Sequence, residues 1–169
     1  KLISATLVKA KKFAEAVTAM EGYIADKGES VSYKEYDALA DIYIDEADGA
    51  EDAAKAEAYK KADQVYATIA EKFDYAATYA VWKRALMNHQ INPDLKVGLA
   101  LPYYQQYISL VEPKADKSAA ELNKLATAYT YLAVHYIQND KKAEAKEFAG
   151  KLLEIKPEDP NGLQIMNIK

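Results

Sequence analysis

Apolar residues recur at steps of three and four along most of the chain, a spacing that places them on one face of an α-helix. The clearest case is a helix on which Tyr129, Leu132, Ala133 and Tyr136 share a face. A second copy of this pattern, with the same spacing and residue types, consists of Tyr36, Leu39, Ala40 and Tyr43. The pattern predicts an all-α protein.

The stretch after Tyr136 predicts how the helices pair. Residues 139–141 form a short turn, Ala145 and Ala149 lie on a second helix, and Pro157 ends that helix. Ala133 and Ala145 are small where the two antiparallel helices must approach most closely. One such pair cannot bury its apolar face alone, so neighbouring pairs must cover it.

Two helix starts carry capping boxes, in which a Ser and a Glu three positions later satisfy exposed backbone N–H groups. They are Ser32 with Glu35 and Ser118 with Glu121. Both boxes precede helices that carry the apolar pattern, so each marks the start of a predicted helix pair.

The helix pairs divide the chain into four predicted units and a short helical end. Their approximate bounds are 1–30, which is incomplete, 32–74, 75–115 and 117–159, followed by a helical stub at 160–169. Together they form one predicted domain over residues 1–169. Because the chain opens in mid-repeat at Lys1, without a Met, we expect it to be a fragment of a longer chain.

Three places depart from the pattern. An acidic insertion at residues 45–52 replaces a tight turn, and we expect a flexible, solvated connection there, with the next helix starting near Ala53. A longer connection occupies residues 91–99. Lys83 stands where a small residue is usual, so we expect looser packing or a side chain that reaches outward.

The composition restricts the classes of function. Half of the 169 residues are hydrophobic, and the 14 Tyr suit thin two-layer packing, in which a ring is buried while its hydroxyl reaches water or a polar partner. The net charge of −4 argues against nucleic acid, whose phosphates need a basic surface. The absence of Cys excludes disulfides and thiol catalysis. No apolar run approaches the roughly twenty residues that span a bilayer.

This arrangement resembles the motif of tetratricopeptide-repeat proteins. That motif has an aromatic residue, Leu, a small residue and Tyr on one helix, then Ala on a second helix and Pro at its exit. The resemblance covers nearly the whole chain and is strongest over 36–74 and 129–157. It implies an α-solenoid, a right-handed superhelix of antiparallel helix pairs. Its concave groove, lined by the first helix of each pair, would bind peptides or partner proteins. The resemblance implies no catalytic activity.

A second resemblance concerns residues 92–108. Their sequence contains NPDL, then GLA, PYY and YI, and is similar to uncharacterised bacterial envelope proteins that carry such repeats. This likeness implies a location in the bacterial cell envelope or periplasm.

Residues of the first helices that point away from the packing face are predicted to line the groove. In the second unit they are Lys34, Asp37, Asp41, Ile44 and Asp45. In the third unit they are Ala77, Ala80, Arg84, Met87 and Asn88. In the fourth unit they are Thr127, Thr130, Val134, Ile137 and Gln138. The groove is therefore expected to be acidic at one end and mildly apolar at the other.

Asp37, Asp41 and Asp45 stand four residues apart, so their carboxylates form one acidic stripe. One hypothesis is that the stripe favours a basic or amine-bearing partner; the alternative is a solvated helix face with no binding role. Some tetratricopeptide-repeat proteins grip a ligand's carboxylate with Lys and Asn at matching positions, which Asp37 and Asp41 occupy here. The resemblance therefore argues against such a clamp, although Arg84 and Asn88 keep it open in the third unit.

Motifs for catalysis or metal binding are lacking. The acidic insertion does not have the spacing of an EF-hand loop, and His89 and His135 lie on different units without nearby ligands. The six glycines are scattered and form no phosphate-binding loop. We therefore expect no enzyme activity, no cofactor and no metal.

The predicted function is thus a non-catalytic scaffold or adaptor that binds a protein or peptide, and the hypothesis of the acidic stripe favours a basic one. Two alternatives stay open. The first alternative is a structural repeat domain that mediates self-association or envelope assembly. The second is a recruiting domain of a larger enzyme.

Overall fold

The computed structural model describes residues 2–169. Over these residues the chain forms nine α-helices and no strand. In chain order they are α1 (Leu2–Lys9), α2 (Phe13–Lys27), α3 (Tyr33–Asp48), α4 (Asp52–Lys72), α5 (Ala77–Ile91), α6 (Leu101–Val111), α7 (Ala119–Gln138), α8 (Lys142–Ile155) and α9 (Pro160–Met166). The predicted all-α class is confirmed.

The helices form two compact units, which divide between Ile91 and Asn92. The first unit contains α1 to α5, and the second contains α6 to α9. The division falls inside residues 75–115, which the sequence pattern groups as one repeat.

In the first unit, alanines lie where the helices pack together. Ala40 of α3, Ala62 of α4 and Ala80 of α5 are fully buried in one cluster with Tyr66 and Ile69. The small side chains let the helices approach, and the larger neighbours fill the space beside them. A second cluster, which joins α2 to α3, consists of Ala16, Met20, Leu39 and Ile42.

The second unit uses the same arrangement. Ala133 of α7 and Ala145 and Ala149 of α8 are fully buried in a single cluster, which confirms the predicted close approach of Ala133 to Ala145. The repeat motif asks for a bulky residue at the position of Ala149. Phe148 supplies that bulk from the neighbouring position, because its ring stacks on Tyr136 with the ring centroids 5.7 Å apart.

Both predicted capping boxes are present. The backbone N–H and the hydroxyl of Ser32 donate to Glu35 Oε2 at 2.9 and 2.6 Å. Ser118 donates in the same way to Glu121 Oε2, at 2.9 and 2.8 Å. These bonds satisfy N–H groups that have no partner within the helix.

A lysine from the segment before each box adds an ion pair that the sequence pattern did not predict. Lys27 Nζ lies 2.7 Å from Glu35 Oε1, and Lys114 Nζ lies 2.6 Å from Glu121 Oε1. The lysine hydrogen bond, followed by the bonds from the serine, lowers the pKa of each glutamate to about 2. Each carboxylate is therefore stabilised in its charged form by the folded state.

The acidic insertion at residues 45–52 is largely helical, although a connection between the helices was expected over its length, and most of its residues are exposed. α3 continues to Asp48, and α4 begins at Asp52, one residue before the predicted Ala53. The buried Tyr59 of α4 donates its hydroxyl hydrogen to Asp48 Oδ1 at 2.9 Å, which fixes the end of α3. The insertion therefore lengthens two packed helices instead of separating them.

The long connection at residues 92–100, which we call the strap, is held against α7. His135 Nδ1 lies 2.7 Å from the carbonyl oxygen of Leu95, and Asn139 Nδ2 donates to the carbonyl oxygen of Lys96 at 3.1 Å. Gly98 has a φ of +68° and lies so close to His135 that a Cβ would be 2.5 Å from Nδ1. The strap is thus an ordered segment anchored at three successive points.

The first prediction concerns the capping box of α3. Glu35→Ala should lower the free energy of unfolding by about 1–2 kcal/mol at pH 7, because it removes the cap and the partner of Lys27. The folded-state pKa of Glu35, about 2, lies below its ordinary value of 4.5. Its contribution is therefore complete above pH 4.5 and is lost as the pH falls toward 2. Urea unfolding across this pH range measures it.

The matched control is Glu15→Ala, which removes a glutamate from the first turn of α2. Glu15 pairs with Lys12 on the exposed surface, where solvent screens the interaction, so little change is expected at any pH. An equal effect of the two substitutions would contradict a special role for the box.

The second prediction concerns the strap. Gly98→Ala should lower the free energy of unfolding by about 2 kcal/mol, since it combines a strained positive φ with a clash against the His135 ring. Gly22→Ala on α2 is the control, because a Cβ added there would meet no atom within 4 Å outside its own stretch of helix. Alanine at this position should stabilise the helix slightly. Thermal unfolding and amide exchange over residues 92–100 report the effect. Normal stability and protection in the Gly98 variant would exclude the close packing.

Candidate functional site

A cleft between α1 and α3 contains part of the predicted acidic stripe. It is lined from α1 by Ser4, Ala5, Val8 and Lys9, and from α3 by Ala38, Asp41, Ile42 and Asp45. Its volume is about 360 Å³. We call it the α1–α3 cleft.

The cleft combines an apolar floor with charged sides. Ile42 is buried, and Val8 and Ala38 are partly buried beside it. Asp41 and Asp45 are exposed one helical turn apart on α3, while Lys9 is exposed on α1. Apolar side chains can lie on such a floor, while the two carboxylates offer acceptors for a positively charged group.

Asp41 lies where negative charge accumulates. Although the side chain is exposed in the cleft, neighbouring atoms partly desolvate its carboxyl and raise its pKa, and the charges of Asp37 and Asp45 raise it further. The positive charge of Lys83 acts in the opposite direction. A further cation placed beside Asp41 would therefore be electrostatically favoured.

Asp37, the first member of the stripe, is a structural residue that links three helices. Its Oδ1 accepts hydrogen bonds from the hydroxyls of Tyr66 on α4, at 3.3 Å, and Tyr79 on α5, at 2.5 Å. Burial, with the neighbouring carboxylate, raises the pKa of both phenols well above the ordinary value. Asp37 thus supplies the acceptor that two largely buried hydroxyls need.

Lys83 lies beside the same tyrosines. Its ammonium nitrogen is 5.3 Å from the ring centroid of Tyr66 and 5.7 Å from that of Tyr79. The sequence predicted looser packing or an outward side chain at this position. In the structure the lysine is partly exposed, and its ammonium lies over the faces of two aromatic rings, an arrangement that stabilises a cation.

The third-unit residues predicted for the groove are engaged within the fold. Arg84 Nε and Nη2 donate to Asp63 Oδ1 and Oδ2 at 2.9 and 3.1 Å, and Asn88 Nδ2 donates to Asp63 Oδ1 at 2.9 Å. Met87 and Asn88 are each 6% exposed, so their expected position on an open surface is wrong. Because Asp63 already binds Arg84 and Asn88, these side chains do not form a vacant carboxylate clamp.

The other predicted positions differ in exposure. Lys34, Thr127 and Gln138 are exposed. Ile44, Ala77, Thr130, Val134 and Ile137 are partly buried, and Ala80 is fully buried. The structure thus brings Asp37, Asp41 and Asp45 together in the first unit, whereas Thr127, Thr130 and Val134 lie on α7 in the second.

The sequence analysis missed the α1 side of the cleft and the role of Lys83. Ser4, Ala5, Val8 and Lys9 belong to a helix that the repeat pattern treats as an incomplete tail, so no motif position pointed to them. Lys83 did carry a signal, since a lysine stands where the motif requires a small residue. Of its two aromatic contacts, Tyr79 lies one turn earlier on α5, whereas Tyr66 lies on α4 and is not marked by the local pattern.

Metal-binding clusters and membrane-spanning helices are a separate matter from the cleft, and both concern residues 2–169. Among these residues no group of three or more His, Cys, Asp or Glu is arranged to hold a metal ion. The helices of this part of the chain are all too short or too polar to cross a membrane.

Comparison with solved structures identifies a similar fold in the C-terminal part of a TPR repeat-containing protein from Cytophaga hutchinsonii. The TM-score is 0.72 at 22% sequence identity, and the match covers 99% of this chain but 58% of the other. No known family profile and no curated protein matches the chain. The structural likeness shows the fold, an all-α solenoid of the tetratricopeptide-repeat type.

The third prediction tests the structural role of Asp37. Asp37→Ala should lower the free energy of unfolding by about 2 kcal/mol, because it leaves two tyrosine hydroxyls without their shared acceptor. Asp45→Ala removes an exposed carboxylate from the same helix and should change stability by less than about 0.5 kcal/mol. Urea unfolding compares the two variants. Equal stabilities would show that Asp37 does not hold the helices together.

Proposed function

We propose that this protein is a non-catalytic scaffold that binds a protein segment in the α1–α3 cleft, with a cationic side chain of that segment placed against Asp41 and Asp45. The observation that carries the proposal is the cleft itself, in which two exposed carboxylates adjoin an apolar floor. The repeat fold supports it, since such folds are generally protein-interaction scaffolds.

The apolar floor supplies the part of the binding energy that does not depend on charge. Val8, Ala38 and Ile42 can cover an aliphatic side chain or the methylene stem of a Lys or Arg. Each square ångström of apolar surface removed from water contributes roughly 25 cal/mol before the costs of association. A segment that enters the cleft with an aliphatic stem would use this floor.

The carboxylates supply orientation and selectivity. Asp41 and Asp45 lie on the α3 side, and Lys9 lies on the α1 side. A cationic group is therefore attracted to α3 and repelled from Lys9, which fixes the direction in which the segment lies. Because exposed ion pairs contribute only about 0–1 kcal/mol each, charge selects the partner more than it strengthens binding.

We propose the bacterial cell envelope as the location of this scaffold. The support is the resemblance of residues 92–108 to envelope proteins with such repeats.

The fourth prediction is that Asp41→Lys/Asp45→Lys weakens binding of the natural partner. Asp37 is left unchanged, because its substitution would disturb the fold. The purified chain and this variant serve as bait in extracts of the source organism, and the captured protein is then purified for calorimetry. We expect affinity to fall at least about tenfold, and we expect salt to weaken binding to the unchanged chain but not binding to the variant, because only the unchanged cleft attracts the cation.

The matched control is Glu57→Lys/Glu71→Lys, which makes the same change of net charge at exposed positions of α4. It should bind the partner like the unchanged chain. A partner that binds both double variants equally would place the interaction outside the α1–α3 cleft and refute the proposal.

A further inference from the structure

A cation of the protein itself, Lys83, lies close to the acidic stripe. Lys83 of α5 places its ammonium over the ring faces of Tyr66 and Tyr79, at 5.3 and 5.7 Å from the centroids. Asp37 is hydrogen-bonded to both tyrosines. Asp41 lies one turn after Asp37 on α3, as Lys83 lies one turn after Tyr79 on α5, and the lysine charge acts on the Asp41 carboxyl. We call Tyr66, Tyr79, Asp37 and Asp41 the cation box.

The box has the composition of a site that recognises an organic cation. Two aromatic faces attract an ammonium or guanidinium through their quadrupoles, and carboxylates add a direct charge interaction. In the structure the Lys83 ammonium lies over the two rings, so the aromatic part of this arrangement is seen beside a cation.

The box adjoins the α1–α3 cleft through Asp41, which belongs to both. Asp45, one turn further along α3, lies in the cleft, while Lys83 approaches from α5. A cation that enters the cleft at Asp41 therefore meets a carboxylate whose negative charge is already partly compensated.

Lys83 is not fixed in the core. Its side chain is partly exposed, and a lysine carries its charge at the end of a flexible four-carbon stem. The ammonium can therefore leave the box for water without unfolding α5, which a fully buried charge could not do.

We propose that Lys83 is a built-in competitor for the cationic side chain of the partner, so that its ammonium lowers the affinity of the α1–α3 cleft for Lys- or Arg-bearing segments. The inference rests on the proposed function and adds to it the means by which affinity is adjusted. The partner group it specifies is a guanidinium or ammonium that takes over the interaction with Asp41.

The fifth prediction uses a fluorescein-labelled tetra-arginine peptide with blocked ends, and fluorescence anisotropy with the full chain. Lys83→Gln should tighten binding about fivefold, the change expected when one unit charge within roughly 10 Å is removed near a protein surface. Lys60→Gln is the matched control, because it removes the same charge from an exposed position on α4 and should leave affinity within about twofold. Asp41→Asn/Asp45→Asn should weaken binding of the peptide, whether it is introduced into the unchanged chain, into Lys83→Gln or into Lys60→Gln.

Three results would overturn the inference, and they differ in what they say of the proposed function. If Lys83→Gln and Lys60→Gln bind alike while Asp41→Asn/Asp45→Asn weakens binding, the competitor role fails and the cleft stands. If Asp41→Asn/Asp45→Asn has no effect, the peptide binds elsewhere and both proposals fail. If the peptide binds none of the variants, a cation-selective cleft fails together with its competitor.

A second measurement needs no ligand. Lys83→Gln should raise the pKa of the Asp41 carboxyl above its value in the unchanged chain, because the opposing positive charge is gone. Carbon-detected NMR titration measures this pKa, with Lys60→Gln again as control. An unchanged Asp41 pKa would show that Lys83 does not compensate the stripe and would refute the inference.

Discussion

A buried tyrosine hydroxyl must find a hydrogen-bond acceptor, and in this fold carboxylates from neighbouring helices meet that need. Asp37 accepts from Tyr66 and Tyr79, and Asp48 accepts from Tyr59. In the second unit Glu112 accepts from the hydroxyl of Tyr129 at 2.8 Å. These bonds join α3 to α4 and α5, and the end of α6 to α7. A chain with 14 Tyr therefore uses part of its negative charge to hold its own helices together.

The same constraint decides which acidic residues remain for a partner. Sequence spacing treats Asp37, Asp41 and Asp45 as equivalent, since all three share a helix face. In the structure they form a series. Asp37 is bound to two tyrosines, Asp41 faces both Lys83 and the cleft, and Asp45 is exposed in the cleft. The three carboxylates therefore differ in how far groups of the protein itself already engage them, and Asp45 is the most available to a partner.

Local sequence predicted the features that depend on local interactions. The capping boxes at Ser32 and Ser118 involve residues three positions apart, and the close approach of Ala133 to Ala145 follows from helical periodicity across a short turn. The features that were missed depend on distant residues. α3 continues into the acidic insertion as far as Asp48, which accepts a hydrogen bond from Tyr59 of the next helix. Arg84 and Asn88 turn toward Asp63, more than twenty positions earlier. Periodicity assigns a residue to a face but does not identify the side chain opposite.

The repeat motif and the candidate site consequently carry different kinds of information. A motif position such as Ala40 or Ala133 records the close approach of two helices, for which a small residue is suited. A departure such as Lys83 is not required by that packing, because a small residue would suffice. A long charged side chain at a close-packed position loses conformational freedom and part of its hydration, and it persists only where other contacts compensate. Here the compensation comes from two aromatic rings and the acidic stripe. The departure from the motif at Lys83 therefore marks the part of the surface where a lysine partly offsets the negative charge of the stripe.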